Sequence, residues 1–67
     1  MIVDRMELKK AMLFNGEMTG KELAEKAQLT QPVITRMMKG LSVNMESVYK
    51  VANVLDVDMF TLEKKEN

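Results

Sequence analysis

Between Met18 and Gly40 the sequence runs MTGKELAEKAQLTQPVITRMMKG, two stretches with apolar residues at helical spacing separated by a break of only three residues. Thr19-Gly20-Lys21-Glu22 opens the first stretch as a capping box. The threonine hydroxyl is placed to accept from the backbone three residues on, and Glu22 to reach back to the cap. Leu23, Ala24 and Ala27 supply its apolar stripe, and Gln28-Leu29-Thr30 interrupts it. Thr30 is placed to cap the second stretch. Pro32, the one proline of the chain, fits only in a first turn, where its missing N–H is not needed. Proline also biases Gln31 away from helical geometry, so the start falls between Thr30 and Pro32. Val33, Ile34 and Met37 give this helix an inward face, and Gly40 ends it. Two short helices joined by so brief a turn must cross steeply. Leu23, Ala24, Leu29, Ile34 and Met37 then have to lock them together, with Ala24 small where the backbones approach.

The flanking sequence continues the helical reading. A first helix is expected from about Val3 to Phe14, with Leu8, Ala11 and Met12 at helical spacing and Met6 and Leu13 beside them. Asn15-Gly16 stops it, because both residues tolerate the left-handed conformation. After the loop Leu41 to Val43, Asn44 caps a fourth helix carrying Met45, Val48, Val51, Ala52 and Leu55. Asp58 caps a last short one with Met59 and Leu62. The methionines at 6, 12, 18, 37, 45 and 59 read as core filler. The expected fold is all-α, a compact bundle of about five short helices forming one domain over residues 1–62, with residues 63–67 a polar, disordered tail.

Composition narrows the function classes. A chain of 67 residues buries a thin core, and it has no cysteine to staple itself and no Cys/His cluster for a structural metal. Stability is therefore expected from well-packed helices, a partner subunit, or both. The chain has no histidine, and Ser42 and Ser47 have no imidazole base. The carboxylates are scattered without a metal-ligand spacing, so enzymatic activity, a bound metal and a cofactor are not expected. No apolar run has the length of a membrane span, MIVDR lacks the layout of a signal peptide, and lack of cysteine suits a reducing compartment; a cytoplasmic location is the expectation. No small-molecule ligand is evident. The formal net charge is zero, which counts against a nucleic-acid binder. Yet residues 1–42 hold seven basic and five acidic side chains, whereas residues 43–67 hold three and five. The distribution permits a basic face.

Residues 18–40 resemble, without a gap, the phage-repressor and Cro-like helix-turn-helix family, also called the Xre family. The shared pattern is an apolar residue, Ser/Thr, a polar pair, Glu-Leu-Ala, then Thr/Ser-Gln and Ile-x-x-apolar-x-x-Gly. It continues through Asn44 to Ala52 and Leu55 to Leu62. The resemblance implies a lambda-repressor-like fold and sequence-specific binding of a double-stranded DNA operator, with the third helix in the major groove, in a transcriptional regulator of repressor type. Three departures stand out. Gly20 replaces a glutamine that commonly contacts phosphate or braces the recognition helix. Gln28 replaces a glycine of the turn, which implies a backbone angle that strains other residues. The first helix is offset or lengthened by about a residue before Met18. Met38 and Phe60 also fall on positions that are polar in the family.

Carried over by position, Gln31, Pro32, Val33, Thr35 and Arg36 face the groove. Gln31 stands where the family often bonds adenine at N7 and N6. Arg36 is directed to guanine, to a phosphate, or into a surface pair with a glutamate, while Val33 and Thr35 suit a thymine methyl. Gly20, Lys21, Thr30, Lys39, Ser42 and Asn44 correspond to phosphate contacts, Thr30 serving also or instead as a cap. Lys9 and Lys10 either add charge or simply form a solvated face. A homodimer is expected, with Tyr49, Val57 and Phe60 as a small symmetric patch, or else with Phe60 folded back over the fourth helix. The competing reading is a protein-interaction module of the same fold, of antirepressor or antitoxin type, with weak DNA binding.

Overall fold

The computed structural model describes residues 1–65, among which five helices follow one another: α1 Arg5–Phe14, α2 Gly20–Ala27, α3 Gln31–Met38, α4 Met45–Leu55 and α5 Met59–Leu62. Among the helices, α2 packs against α3 and α4, α4 against α5, and α1 against α3 and α5. Their shared core includes Leu8, Leu23, Ala24, Ile34, Met37, Val48, Val51, Leu55 and Leu62, all buried.

Local chemistry fixes the helix ends. Thr19 Oγ1 accepts from Glu22 N–H at 3.1 Å, and Thr19 N–H donates to Glu22 Oε1 at 3.1 Å, closing the capping box. That backbone N–H, with the Thr19 side chain, holds the Glu22 carboxyl below the ordinary carboxylate range. Asn44 Oδ1 accepts from Ser47 N–H at 2.8 Å and Asp58 Oδ1 from Phe60 N–H at 2.8 Å. At the start of α3, Thr30 occupies the cap position, but its side chain makes no capping bond; Pro32 in the first turn has already removed one donor needing a partner. Thr30 thus stands at the cap by position and not, as the sequence suggests, through its hydroxyl.

The first helix begins at Arg5 rather than Val3. Asp4 caps it by accepting from Met6 and Glu7 N–H at 2.9 and 3.3 Å. Val3 is buried in extended backbone instead. Ile2 forms an antiparallel bridge with Ser42, and Val3 one with Glu63. Val43 N–H donates to Met1 C=O at 2.9 Å, Lys64 N–H to Ile2 C=O at 2.8 Å, and Asp4 N–H to Leu62 C=O at 2.7 Å. The amino-terminal segment thus lies between the α3–α4 loop and the chain following α5. Glu63 and Lys64 are paired there rather than loose as expected from their polarity; Glu66 and Asn67 of that tail lie outside the described residues. Two methionines expected in the core are outside it, Met6 73% and Met45 58% exposed, while Met12, Met18 and Met37 are buried and Met59 packs at the core's edge.

Candidate nucleic-acid interface

The turn between α2 and α3 depends on one residue in the left-handed region. Gln28 has φ 57° and ψ 41°, its N–H donates to Glu25 C=O at 3.2 Å, and Leu29 N–H reaches back to Ala24 C=O at 2.9 Å. This is a Schellman ending, built on a glutamine where the resemblance implied a glycine. Leu29 follows it inward, half-buried against the core. The chain is thereby redirected within three residues, and α3 crosses α2 with Ile34 and Met37 buried in the contact.

Burying Ile34 and Met37 commits the opposite side of α3 to solvent. Gln31, Pro32, Thr35 and Arg36 are all exposed, and their spacing places them on one face of the helix. Val33 is half-buried and packs against the core, so only part of it remains available to a ligand. Of the residues corresponding to phosphate contacts, Lys21, Thr30, Lys39, Ser42 and Asn44 are exposed. Asn44 uses its Oδ1 in the α4 cap, and that bond leaves the side-chain NH2 unused. Gly20 differs: it is half-buried beneath Met38, whose Cε would lie 3.1 Å from a Cβ built at Gly20.

Arg36 behaves in a way its position in the motif did not disclose. Its Nε and Nη2 both donate to the Ser42 carbonyl, at 3.2 and 2.8 Å, and its own C=O accepts from Leu41 N–H at 3.0 Å. Neither ion pair of the described residues, Lys10–Glu7 or Lys50–Glu46, involves it. No spacing rule marks an arginine as the partner of a carbonyl six residues on, because the route of the intervening loop is set by tertiary packing.

A helix-turn-helix family model, of the Cro/C1 type, matches residues 8–62. The chain belongs to the Cro/C1-type helix-turn-helix family. No curated protein and no solved structure matches it. This helix-turn-helix chain is a DNA-binding domain of the transcription-regulator class, a family that is generally not enzymatic. No helix among the described residues is long and apolar enough to cross a membrane.

Two apolar depressions mark the surface, the first of them reaching α3 through Met38. One is a shallow depression lined by Lys9, Met12, Leu13, Glu17, Met18 and Met38, with Phe14 nearby in sequence and 84% exposed. The other is lined by Tyr49, Val57, Met59 and Phe60, together with Ala52 and Asn53. Tyr49 and Phe60 are 56% and 59% exposed, so Phe60 is no part of the core, although it lines this depression beside Tyr49, Ala52 and Asn53 of α4; Val57 is half-buried against the core.

Proposed function

We propose that this domain binds operator DNA sequence-specifically as a homodimer, lays α3 in the major groove and represses transcription by occluding RNA polymerase. The observation that carries the reading is the exposed row Gln31, Pro32, Thr35 and Arg36 on a helix whose opposite side is locked to α2. Gln31 offers a donor and an acceptor together, the pair that adenine presents at N7 and N6 in the major groove. Thr35 and the accessible part of Val33 suit a thymine methyl, and Pro32 gives shape without a donor. Lys21, Lys39, Ser42 and Asn44 flank that row and supply cationic and hydrogen-bonding contacts to phosphate, with Gly20 and Thr30 contributing through the backbone. An eight-residue α3 is only about 12 Å long, enough for one half-site. The domain's greatest extent is 31 Å, which favours two copies for half-sites roughly 34 Å apart.

A second reading, a protein-interaction module, is favoured by the exposed Leu13 and Phe14 beside the methionine-lined depression. Methionines repack readily around different partners. Selection from random double-stranded DNA, followed by titration of the selected and scrambled sequences over a range of salt, tests both. A recovered motif and affinity falling steeply with salt are expected. Absence of salt-dependent binding to any DNA would overturn the operator reading and leave the protein-interaction one.

A further inference from the structure

We infer that Arg36 is a positioning residue: it holds the α3–α4 loop by its Ser42 carbonyl and so sets where Ser42 and Asn44 meet the phosphate backbone. The inference rests on the DNA-binding reading above and deepens it.

Three observations carry it. Both Nε and Nη2 of Arg36 point at one oxygen, Ser42 C=O, at 3.2 and 2.8 Å. A guanidinium is a rigid planar fork, so two bonds to a single acceptor fix orientation as well as distance. Second, the same residue grips the loop through its main chain, because Arg36 C=O accepts from Leu41 N–H at 3.0 Å just past Gly40, which follows α3 at φ 75°. Third, Ser42 is held from its other side by the bridge to Ile2, and Val43 N–H donates to Met1 C=O at 2.9 Å. The loop is therefore fastened between the amino-terminal segment and α3. Two residues later Asn44 starts α4 with its side-chain NH2 unused by the cap. A guanidinium occupied in this way does not have to reach the bases to affect binding. It affects binding by keeping the phosphate-contacting groups ordered before DNA arrives, which lowers the ordering cost on association.

The test compares wild type with Arg36→Met, which keeps the apolar stem but loses every donor, and Arg36→Lys, which keeps the charge. Amide hydrogen exchange of the free proteins is measured first. Leu41 and Val43 are expected to exchange several-fold faster in Arg36→Met, with Leu23 and Ile34 unchanged and Arg36→Lys between the two. Binding is then measured on the selected sequence and on a scrambled one. Arg36→Met should weaken both by the same factor, roughly three- to tenfold, with the ranking of bases unaltered. In an Asn44→Ala background the further loss from Arg36→Met should shrink, since the two residues act through one contact. Relaxed preference at one base pair with unaltered loop exchange would make Arg36 a base reader and overturn the inference. Unaltered exchange with unaltered affinity would overturn it too. If wild type bound no DNA, the operator reading would fail with it, while the exchange data would still show whether Arg36 fastens the loop.

Discussion

Met38 lies over Gly20 so closely that a Cβ at Gly20 would come within 3.1 Å of Met38 Cε and 3.6 Å of its Sδ. These two residues both depart from the family's usual polar side chains, and the structure places them against each other. The methionine fills the space that a side chain at the start of α2 would take, and the missing side chain makes room for the methionine. The contact is with the tip of a flexible chain, so a substitution at Gly20 displaces Met38 rather than the backbone. Gly20→Gln is expected to change stability by less than about 1 kcal/mol, the gain in helix propensity offset by crowding. In a Met38→Ala background the same substitution should be more favourable by about 0.5 kcal/mol or more. Urea melts of the four proteins would show this coupling; strict additivity would mean that the two departures are independent.

Gln28 sits at φ 57°, a region that costs a residue with a Cβ and costs glycine nothing. Gln28→Gly should therefore be neutral or stabilising by up to about 1 kcal/mol, even though glycine gains entropy in the unfolded chain. Gln28→Ala, which keeps the Cβ, should give no such gain. Denaturant midpoints decide the matter: a loss of about 1 kcal/mol or more in Gln28→Gly would mean that the glutamine side chain contributes something the backbone angle does not explain.

The contrast between these two sites shows which parts of the molecule could be read from the sequence. The Thr19–Glu22 capping box, the Asn44 and Asp58 caps and the buried faces of α2 and α3 depend on residues within one or two turns, so spacing revealed them. Gln28 was legible because a glycine position held by another residue implies a particular angle. Long-range pairing was not legible. The bridge from Val3 to Glu63 joins the two ends of the fold, and no local spacing marks Val3 as extended backbone rather than the start of a helix. Asp4, three residues before Glu7, was an available signal for the true start. Met6 and Met45 show the other limit: an apolar residue near the edge of a helical stripe has the right period, but neighbouring elements decide whether it is covered. Asn15 illustrates both. Its stop signal was plain, yet its Nδ2 donates to Leu55 C=O at 3.1 Å as well as to Ala11 C=O at 2.8 Å, stitching α1 to the end of α4.

On the exposed side of α3, Gln31 and Lys39 are assigned different tasks. Gln31→Ala is expected to cost about 1–3 kcal/mol on the selected operator and to relax preference at one base pair. Lys39→Ala should weaken all sequences alike and lower the salt slope by about one unit. Competition binding with single-base variants separates the two behaviours. Equal loss on operator and scrambled DNA for Gln31→Ala would remove it from base readout.

The last expectation concerns the second copy. Tyr49 and Phe60, both more than half exposed, line a shallow depression with Val57 and Met59, to which α3 contributes no residue. A phenylalanine moved fully out of water contributes about 1.5–3 kcal/mol, and in a twofold interface each such residue counts twice. Phe60→Glu should therefore weaken a dimer joined here by about a hundredfold or more, while Asp58 continues to cap α5 and the helices persist. Sedimentation equilibrium of wild type, Phe60→Glu and Tyr49→Lys, each checked by circular dichroism, measures the effect. Helical variants that sediment as monomers where wild type is dimeric would place the interface on this patch. Helical variants that remain dimeric would move it elsewhere, and the exposed Leu13 and Phe14 would be the next surface to test. A wild type monomeric at high micromolar concentration and on DNA would remove the homodimer altogether, leaving each domain to hold its half-site with α3 alone.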